Sequence, residues 1–224
     1  MTGFQHIGLV IPAYNVAGQI GDVLSQSLKW IPRNNVCVVD DGSSDATRDK
    51  AETFGVRVMR HPANRGKGEA LKTGFRACLS GPVSKVFTVD GDGQHDPSRL
   101  PDFLKAASAG GCDIVVGMRP FRMKQMPLDR IFSNRTSSLI TSLAAGRRII
   151  DSQCGFRLYG RKVLESVHPL THRYEMETEM LILASRMGFT IGWCPVKNRY
   201  AGQASHIRRL QDTVRFIRLI LRLM

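Results

Sequence analysis

Val86-Phe87-Thr88-Val89-Asp90-Gly91-Asp92-Gly93-Gln94-His95-Asp96 decides the reading of the fold, because an apolar run ends there in a cluster of carboxylates. Two aspartates at i and i+2 behind a strand offer hard oxygen ligands for Mg²⁺ or Mn²⁺, and the glycine between them lets a bound phosphate approach the backbone. The pattern reads as a site for a metal and a diphosphate. Upstream, Val36-Cys37-Val38-Val39 runs into Asp40-Asp41-Gly42-Ser43-Ser44-Asp45, so a second strand ends in a second acidic turn. Such turns also end strands for conformational reasons alone. Two of them in one chain suggest a shared cleft. An EF-hand loop starting at Asp90 is excluded, because His95 stands at its glycine position and Pro101 at its closing glutamate position. A Walker A loop around Gly66 and Lys67 is excluded as well: Gly68 follows the lysine where Ser or Thr must stand, and His61 holds the place of the first glycine.

Outward from these turns, apolar runs at 6–12, 34–39, 56–60, 84–89 and 112–118 alternate with helix-compatible segments at 17–30, 45–54, 66–80 and 97–109. This is the pattern of βα units that build a mostly parallel sheet, whose ligands sit beyond the carboxyl ends of the strands. Ile11 to Asn15, Asp40-Asp41, His61 to Lys67, Asp90 to Asp92 and Gly117 to Arg119 all fall at those ends. After residue 120 the chain reads as a basic loop, a helix near 129–146, a turn from Asp151 to Arg157, a helix near 174–187, a strand at 189–196 and a terminal helix.

The 224 residues, 42% of them hydrophobic, suit one domain with a substantial core. The five cysteines (Cys37, Cys78, Cys112, Cys154, Cys194) contain no CxxC pair, and three lie in or beside apolar runs, as reduced thiols in the cytosol do. The N-terminus lacks a basic region, and the apolar stretch from Ile7 to Pro12 is too short for a signal or membrane span. The net charge of +13 is segregated: residues 113–161 carry nine Lys/Arg against three Asp/Glu, and residues 197–224 carry seven against one. With no zinc finger, RNP-like aromatic motif or recognition-helix pattern, the surplus argues for an anionic lipid or phosphate partner and against nucleic acid.

The motifs IPAYN (11–15), VVDDGSSDAT (38–47), NRGKGEALKTGF (64–75), DGDGQHDP (90–97), VGMR (116–119), DSQCGFRLYGR (151–161) and METEML (176–181) stand in one order over nearly the whole chain. In this the chain resembles the family 2 glycosyltransferases, and among them the dolichyl-phosphate mannose synthase group. The resemblance implies an α/β fold: one Rossmann-like nucleotide-diphospho-sugar transferase domain of GT-A type, with a mostly parallel central sheet flanked by helices and a C-terminal amphipathic helix. The glycosyltransferase domain spans 1–206, with a nucleotide-sugar half at 1–112 and an acceptor half at 113–206. By the same resemblance Pro12, Tyr14 and Asn15 belong to the nucleotide pocket, Asp40 and Asp41 to base and ribose, and Asp90, Asp92 and Gln94 to metal and diphosphate. Lys67, entering a helix, pairs with a donor phosphate, and Asn64, Arg65 and Gly66 shape its loop. The donor is a nucleotide-diphospho-sugar, with uridine and guanosine both open.

A divalent cation at Asp90 and Asp92 would stabilise the charge that develops on the leaving diphosphate. The catalytic set implied is Asp92, Arg119, Arg135 and Glu177. If the acceptor is a lipid phosphate, of dolichyl or undecaprenyl type, it attacks by inverting displacement without a strong base, and it needs cations to hold it: Arg119, Arg130, Arg135 and Arg157 are the candidates. A hydroxyl acceptor would need a general base, for which Glu177, Glu179 and Asp151 stand open. Glu175 and Glu179 share a helical face and Glu177 points away from it. Processive synthases of the family carry QxxRW and transmembrane helices, which are not found here in that form, so a single sugar transfer is expected. His206 has a capping, surface or phosphate-reaching role open to it.

Residues 207–224 are expected to form an amphipathic helix, with Arg208, Arg215, Arg218 and Arg222 in one sector and Leu210, Val214, Ile217, Leu221 and Met224 opposite. Too short and too charged to span a bilayer, it suits an anionic membrane surface. The alternative covers for its apolar stripe are the catalytic domain and a second subunit, which would make a homo-oligomer. The chain is thus expected in the cytoplasm, peripheral on the cytoplasmic face of a membrane.

Overall fold

The computed structural model describes residues 2–119, 128–197 and 209–224. Among them seven strands form one sheet: β1 (Ile7–Ala13), β2 (Val36–Asp40), β3 (Arg57–Arg60), β4 (Lys85–Thr88), β5 (Ile114–Met118), β6 (Arg157–Gly160) and β7 (Ile191–Pro195), in the order β3-β2-β1-β4-β6-β5-β7. Every pairing is parallel except those of β6, which lies antiparallel between β4 and β5. The mostly parallel α/β sheet expected from the alternating apolar runs, and the GT-A type that the resemblance implies, are therefore observed. Leu9, Ile11, Val38, Val86, Phe87, Ile114 and Val115 are at or near zero exposure, as strands covered on both faces require.

The helices are α1 (Ile20–Ser27), α2 (Thr47–Glu52), α3 (Lys67–Leu79), α4 (Leu100–Gly110), α5 (Leu128–Ala145), α6 (Arg161–Ser166), α7 (Glu175–Arg186) and α8 (Arg209–Leu223). Helix α3 packs on β1 and β2, α4 on β5, β6 and β7, and α5, α7 and α8 pack against one another. Strand β6 and helix α6 follow the expected turn from Asp151 to Arg157, in a segment for which the sequence reading gave no element. The reason is Arg157: a charged residue in the first position of a four-residue run hides a strand whose arginine is wholly buried.

The start of α3 is clamped by the loop that leads into α7. Gly66 caps α3 with φ 101, and a Cβ there would meet Arg173 Cγ at 2.5 Å and the His172 carbonyl oxygen at 2.8 Å, so only glycine fits both the backbone and the space. The Glu69 N–H donates to the His172 carbonyl (2.9 Å), while its carboxylate takes His172 Nδ1 (2.6 Å) and Lys72 Nζ (3.0 Å). One end of α3 and one end of α7 are thereby fixed relative to each other.

Helix α8 docks through a face other than the two read from its sequence. Leu219 and Ile220 are buried, with Phe216 and Leu223 partly so, whereas Val214, Ile217, Leu221 and Met224 are exposed. The expected stripe does not cover the domain. A third sector of the helix does, because Phe216, Leu219, Ile220 and Leu223 recur at the spacing of one face. Arg222 reaches Glu179, and Arg215 pairs with Asp212 at 2.9 Å. No helix among the described residues is long and apolar enough to cross a membrane.

Burial pushes the Glu69 carboxyl up, but His172 and Lys72 outweigh it and bring the group from its ordinary 4.5 down to about 2. A depressed carboxylate contributes stability that is present above the unfolded value and is lost as pH falls through the folded one. Glu69→Gln is therefore expected to melt below the wild-type chain at pH 7, with the gap in Tm closing between pH 4.5 and 2. A gap that stays constant over this range in thermal melts would show that the clamp is not ionic.

Candidate active site

The β4 tip, the α3 entry and α7 meet in one buried charge cluster. Lys67 Nζ lies 2.7 Å from Asp90 Oδ1 and 2.7 Å from Glu177 Oε2. Burial would depress the ammonium, but Asp90 and Glu177 raise it well above the usual lysine range. Asp90 is lowered in turn: burial opposes its charge and Lys67 outweighs the burial. Behind Glu177 stands Arg157, fully buried, which donates to the carbonyl oxygens of Cys154 (2.7 Å), Ser152 (2.9 Å) and Glu177 (2.6 Å). Its Nε is 3.7 Å from Glu177 Oε1, an oxygen that has no hydrogen-bond partner. Arg157, expected among the acceptor contacts, is instead spent on backbone carbonyls inside the fold and is closed off from an incoming substrate.

Asp92 is the electrostatically unrelieved member. Burial and then the charge of Asp90 push its carboxyl up to about 6, against the backbone N–H of Gln94 (3.0 Å) as its local support. His95 is buried, 4.0 Å from Asp90 Oδ2, with Nδ1 lacking a partner, and burial lowers it to about 4 so that the ring stays neutral. Two half-buried carboxylates, one of which raises the other, fit a hard divalent cation, which would relieve both. Among the described residues no three His, Cys, Asp or Glu side chains cluster as a complete ligand set. A cation there would draw its remaining ligands from Gln94, a substrate or water.

The tips of β1 and β2 are held together by hydrogen bonds between loops. Asn15, in the left-handed region at φ 51, donates its N–H to Ser43 Oγ and accepts from the Ser44 N–H, both at 2.9 Å. Pro12 is buried in β1 and its carbonyl accepts from Gly91 (3.3 Å); Tyr14 follows, half-buried. Asp40 is buried and accepts from the Ser43 N–H (2.9 Å), with Arg60 at 3.4 Å. Asp41 accepts from His61 Nδ1 (2.6 Å) and from the N–H groups of Arg65 (2.9 Å) and Gly66 (2.8 Å). Both carboxylates therefore do structural work at the sheet edge, and Asp41 ties the β2 tip to the loop that delivers Lys67.

Beyond the tip of β5, Arg119 forms a bidentate pair with Asp151 (2.7 and 2.8 Å) in which Asp151 is wholly buried. Glu179 is occupied by Thr171 (2.8 Å to its N–H) and by Arg222. Of the three carboxylates open as bases, Glu177 alone keeps an oxygen without a hydrogen bond. Arg135 is exposed on α5. The side chain of Arg130 lies outside the described residues, as do Arg208 and His206.

Gly155 had no role in the sequence reading. A Cβ there would stand 2.4 Å from Asp90 Oδ2 and 2.5 Å from Lys67 Nζ, so the bare backbone of the DSQCGFR turn roofs the ion pair. Thr88 Oγ1, at the end of β4, holds that roof by donating to the Gly155 carbonyl (2.8 Å). The signal was a glycine inside a motif otherwise treated as a turn, but Asp90 and Lys67, which lie under it, are 65 and 88 residues away in the chain.

A doubly wound sheet whose carboxyl edge carries an Asp-x-Asp tip beside nucleotide-side loops defines a GT-A glycosyltransferase. The family described as "Glycosyl transferase family 2" matches residues 9–167. The chain belongs to that family and is an enzyme of the glycosyltransferase class. It is 31% identical over 216 residues to the UDP-N-acetylglucosamine–dolichyl-phosphate N-acetylglucosaminyltransferase of Methanococcus voltae, covering 87% of this chain and 86% of that one. It is 28% identical over 198 residues to the undecaprenyl-phosphate mannosyltransferase of Micrococcus luteus, covering 84% and 81%. Among solved structures it shares the fold of Mycobacterium tuberculosis glucosyl-3-phosphoglycerate synthase, crystallised with Mn²⁺, uridine diphosphate and phosphoglyceric acid, at a TM-score of 0.71, 21% identity, and coverage of 99% and 78%.

Gly155→Ala is expected to push Asp90 and Lys67 apart and lower turnover by about tenfold or more, since displacing catalytic groups by an ångström costs heavily. The far-UV circular dichroism should be unchanged. Wild-type kcat in the alanine variant would mean that the roof yields and the pair tolerates it.

Proposed function

We propose that this glycosyltransferase moves one sugar from a nucleotide-diphospho-sugar to a polyprenyl phosphate presented at an anionic membrane surface, with inversion at the anomeric carbon. The observation that carries the proposal is the Asp90–Asp92 pair at the carboxyl edge of the sheet, short of positive charge and adjoining the arginine-bearing half of the chain. The two relatives named above, whose own acceptors are polyprenyl phosphates, support the acceptor class. The division into a nucleotide-sugar half at 1–112 and an acceptor half at 113–206 follows the same logic, with the tips of β1, β2 and β4 on one side and Arg119, Arg135 and Glu177 on the other.

Asp90 and Asp92, with Gln94, would hold a divalent cation, Mg²⁺ or Mn²⁺, which when bound supplies Lewis acidity toward the leaving diphosphate. Pro12, Tyr14 and Asn15 flank the nucleotide. Asp40 and Asp41 shape its pocket by holding the loops around it. The acceptor phosphate oxygen attacks the anomeric carbon from the side opposite the diphosphate, the anomeric C–O bond breaks, and its electron pair leaves with the diphosphate. An oxygen that is already anionic needs no general base, which agrees with Asp151 and Glu179 being fully engaged by other groups. Arg135 and the Asp151-anchored Arg119 hold the acceptor. Transfer to a hydroxyl of a lipid or glycan is the second reading. It is favoured by the one unpartnered oxygen of Glu177, the only one of the three carboxylates left with such an oxygen.

The surface supports a peripheral membrane location on the cytoplasmic side. Phe132, Leu139 and Leu143 are exposed on α5 at i, i+7 and i+11, and Val214, Ile217, Leu221 and Met224 are exposed on the neighbouring α8. Two adjoining helices thus present apolar stripes to solvent, flanked by Arg135, Arg218 and Arg222. An apolar band with cationic borders complements an anionic bilayer surface, at about 1 kcal/mol for each basic residue near it.

Transfer from a nucleotide sugar to polyprenyl phosphate, followed by radiolabel extraction into organic solvent, tests the reaction. EDTA and Asp92→Asn should each lower it on the order of a hundredfold or more, and undiminished transfer by the stripped enzyme sinks the proposal. Arg135→Ala is expected to raise the acceptor KM and leave donor hydrolysis intact. Loss of nucleotide-sugar binding by calorimetry would move Arg135 to the donor side.

For the membrane surface, truncating α8 would expose the buried Leu219 and Ile220, so point substitutions are the cleaner probe. The full chain should float with anionic vesicles and be released by high salt, and Ile217→Glu combined with Leu221→Glu should remain in the pellet-free soluble fraction. Equal flotation of both removes α8 from the contact. A wild-type dimer that the double variant dissolves would assign the stripe to a second copy.

A further inference from the structure

The structure points to Lys67 as an internal counter-cation that occupies Asp90 before a divalent ion does. We infer that Lys67 and the divalent cation compete for Asp90 Oδ1, so that the lysine weakens cation binding in the nucleotide-free enzyme. The inference rests on the reading of Asp90 and Asp92 as cation ligands and assigns Lys67 a task distinct from the donor-phosphate contact expected from its sequence position.

Four observations carry it. The ammonium is bound on two sides, 2.7 Å from Asp90 Oδ1 and 2.7 Å from Glu177 Oε2, and its side chain is 14% exposed. It is held from above by the Gly155 backbone, which leaves no room for a side chain over the pair. Its helix is fixed from both ends of the contact: Asp41 grips the N–H groups of Arg65 and Gly66, and Glu69 grips the loop before α7. The neighbouring Asp92, by contrast, has a backbone N–H for support and no ammonium on it. Lys67 therefore satisfies one carboxylate of the pair and leaves the other short of positive charge. A cation entering at Asp92 gains Asp90 as its second ligand either at Oδ1, by displacing the lysine or sharing that oxygen with it, or at Oδ2, where it stands one carboxylate's width from the ammonium. Like charges at such separations repel strongly where water is scarce. The arrangement ties the donor half to the acceptor half as well, because the same ammonium bridges the β4 tip to α7. A diphosphate arriving with the cation supplies the negative charge that the displaced ammonium then faces.

The test is Mn²⁺ affinity of the metal-stripped full chain with no nucleotide present, measured by the electron paramagnetic resonance signal of free Mn²⁺. Lys67→Met is expected to bind Mn²⁺ on the order of tenfold more tightly than wild type, and Lys67→Arg, which keeps the charge, close to wild type. Because Lys67→Met leaves Asp90 and Glu177 unpaired and can fail to fold, the double variant Lys67→Met/Glu177→Gln is measured beside it. It removes one buried cation and one buried anion, keeps the net charge of the site, and is still expected to bind Mn²⁺ more tightly than wild type, since Asp90 Oδ1 is released. Affinities in both variants equal to or weaker than wild type overturn the inference while leaving the cation site standing. Absence of any saturable Mn²⁺ binding in wild type and variants alike overturns the cation reading itself, and this inference with it.

Discussion

A single ammonium group set between two carboxylates organises the carboxyl edge of the sheet. Lys67 meets Asp90 from the tip of β4 and Glu177 from α7, two residues 87 positions apart in the chain, and the fold is arranged to keep that contact out of water. Removing one partner of a buried ion pair typically costs about 3–5 kcal/mol, because the other charge is left uncompensated. The supports of the contact are accordingly redundant. Gly66 lets α3 start where it must, Asp41 holds the loop before it, Glu69 clamps the loop that leads into α7, Gly155 closes the roof, and Arg157 braces the backbone of Glu177. Strand β6, antiparallel in an otherwise parallel sheet, brings Gly155 and Arg157 to this place.

The same network commits several of the charged residues to the fold itself. Asp40, Asp41, Asp151, Arg157 and Glu179 all carry full charges near the site, yet each is committed to backbone groups or to an oppositely charged neighbour. Buried charges persist only when so compensated. Among the described residues the buried side-chain atoms without a hydrogen-bond partner are Asp40 Oδ2, which faces Arg60, Glu175 Oε2, Glu177 Oε1 and Nδ1 of the neutral His95, and Asp92 adds its raised carboxyl. Unmet demand of this kind is characteristic of sites that act on a ligand. Asp92 and His95 follow β4 directly, and Glu177 reaches the same tip through Lys67, which supports placing the chemistry there.

Away from the cleft, α5, α7 and α8 form a layer whose inner residues complete the core and whose outer residues leave apolar side chains in solvent. Helix α8 shows how one helix serves two surroundings: Phe216, Leu219, Ile220 and Leu223 seal it to the domain, and Val214, Ile217, Leu221 and Met224 stay outside. Large apolar residues exposed in rows on adjoining helices are uncommon on a surface that meets only water.

The amino-acid sequence by itself determined the architecture and the address of the site. Alternation of apolar runs with helix-compatible segments specifies βα units, and chain connectivity alone then puts Asp40-Asp41, Lys67 and Asp90-Asp92 at the same edge of the sheet. These are consequences of local periodicity, which a sequence displays directly. What only the tertiary structure decided is the partner of each charge. That Arg157 is buried on carbonyls and not offered to an acceptor, that Asp41 binds a loop, that Lys67 bridges Asp90 to Glu177 and that Gly155 lies over both depend on contacts between segments tens of residues apart. The face on which α8 docks was likewise hidden. Its three sectors are all readable from helical spacing, but which apolar sector is covered depends on the shape of α5 and α7 beneath it, and buried contact area, not periodicity, makes that choice.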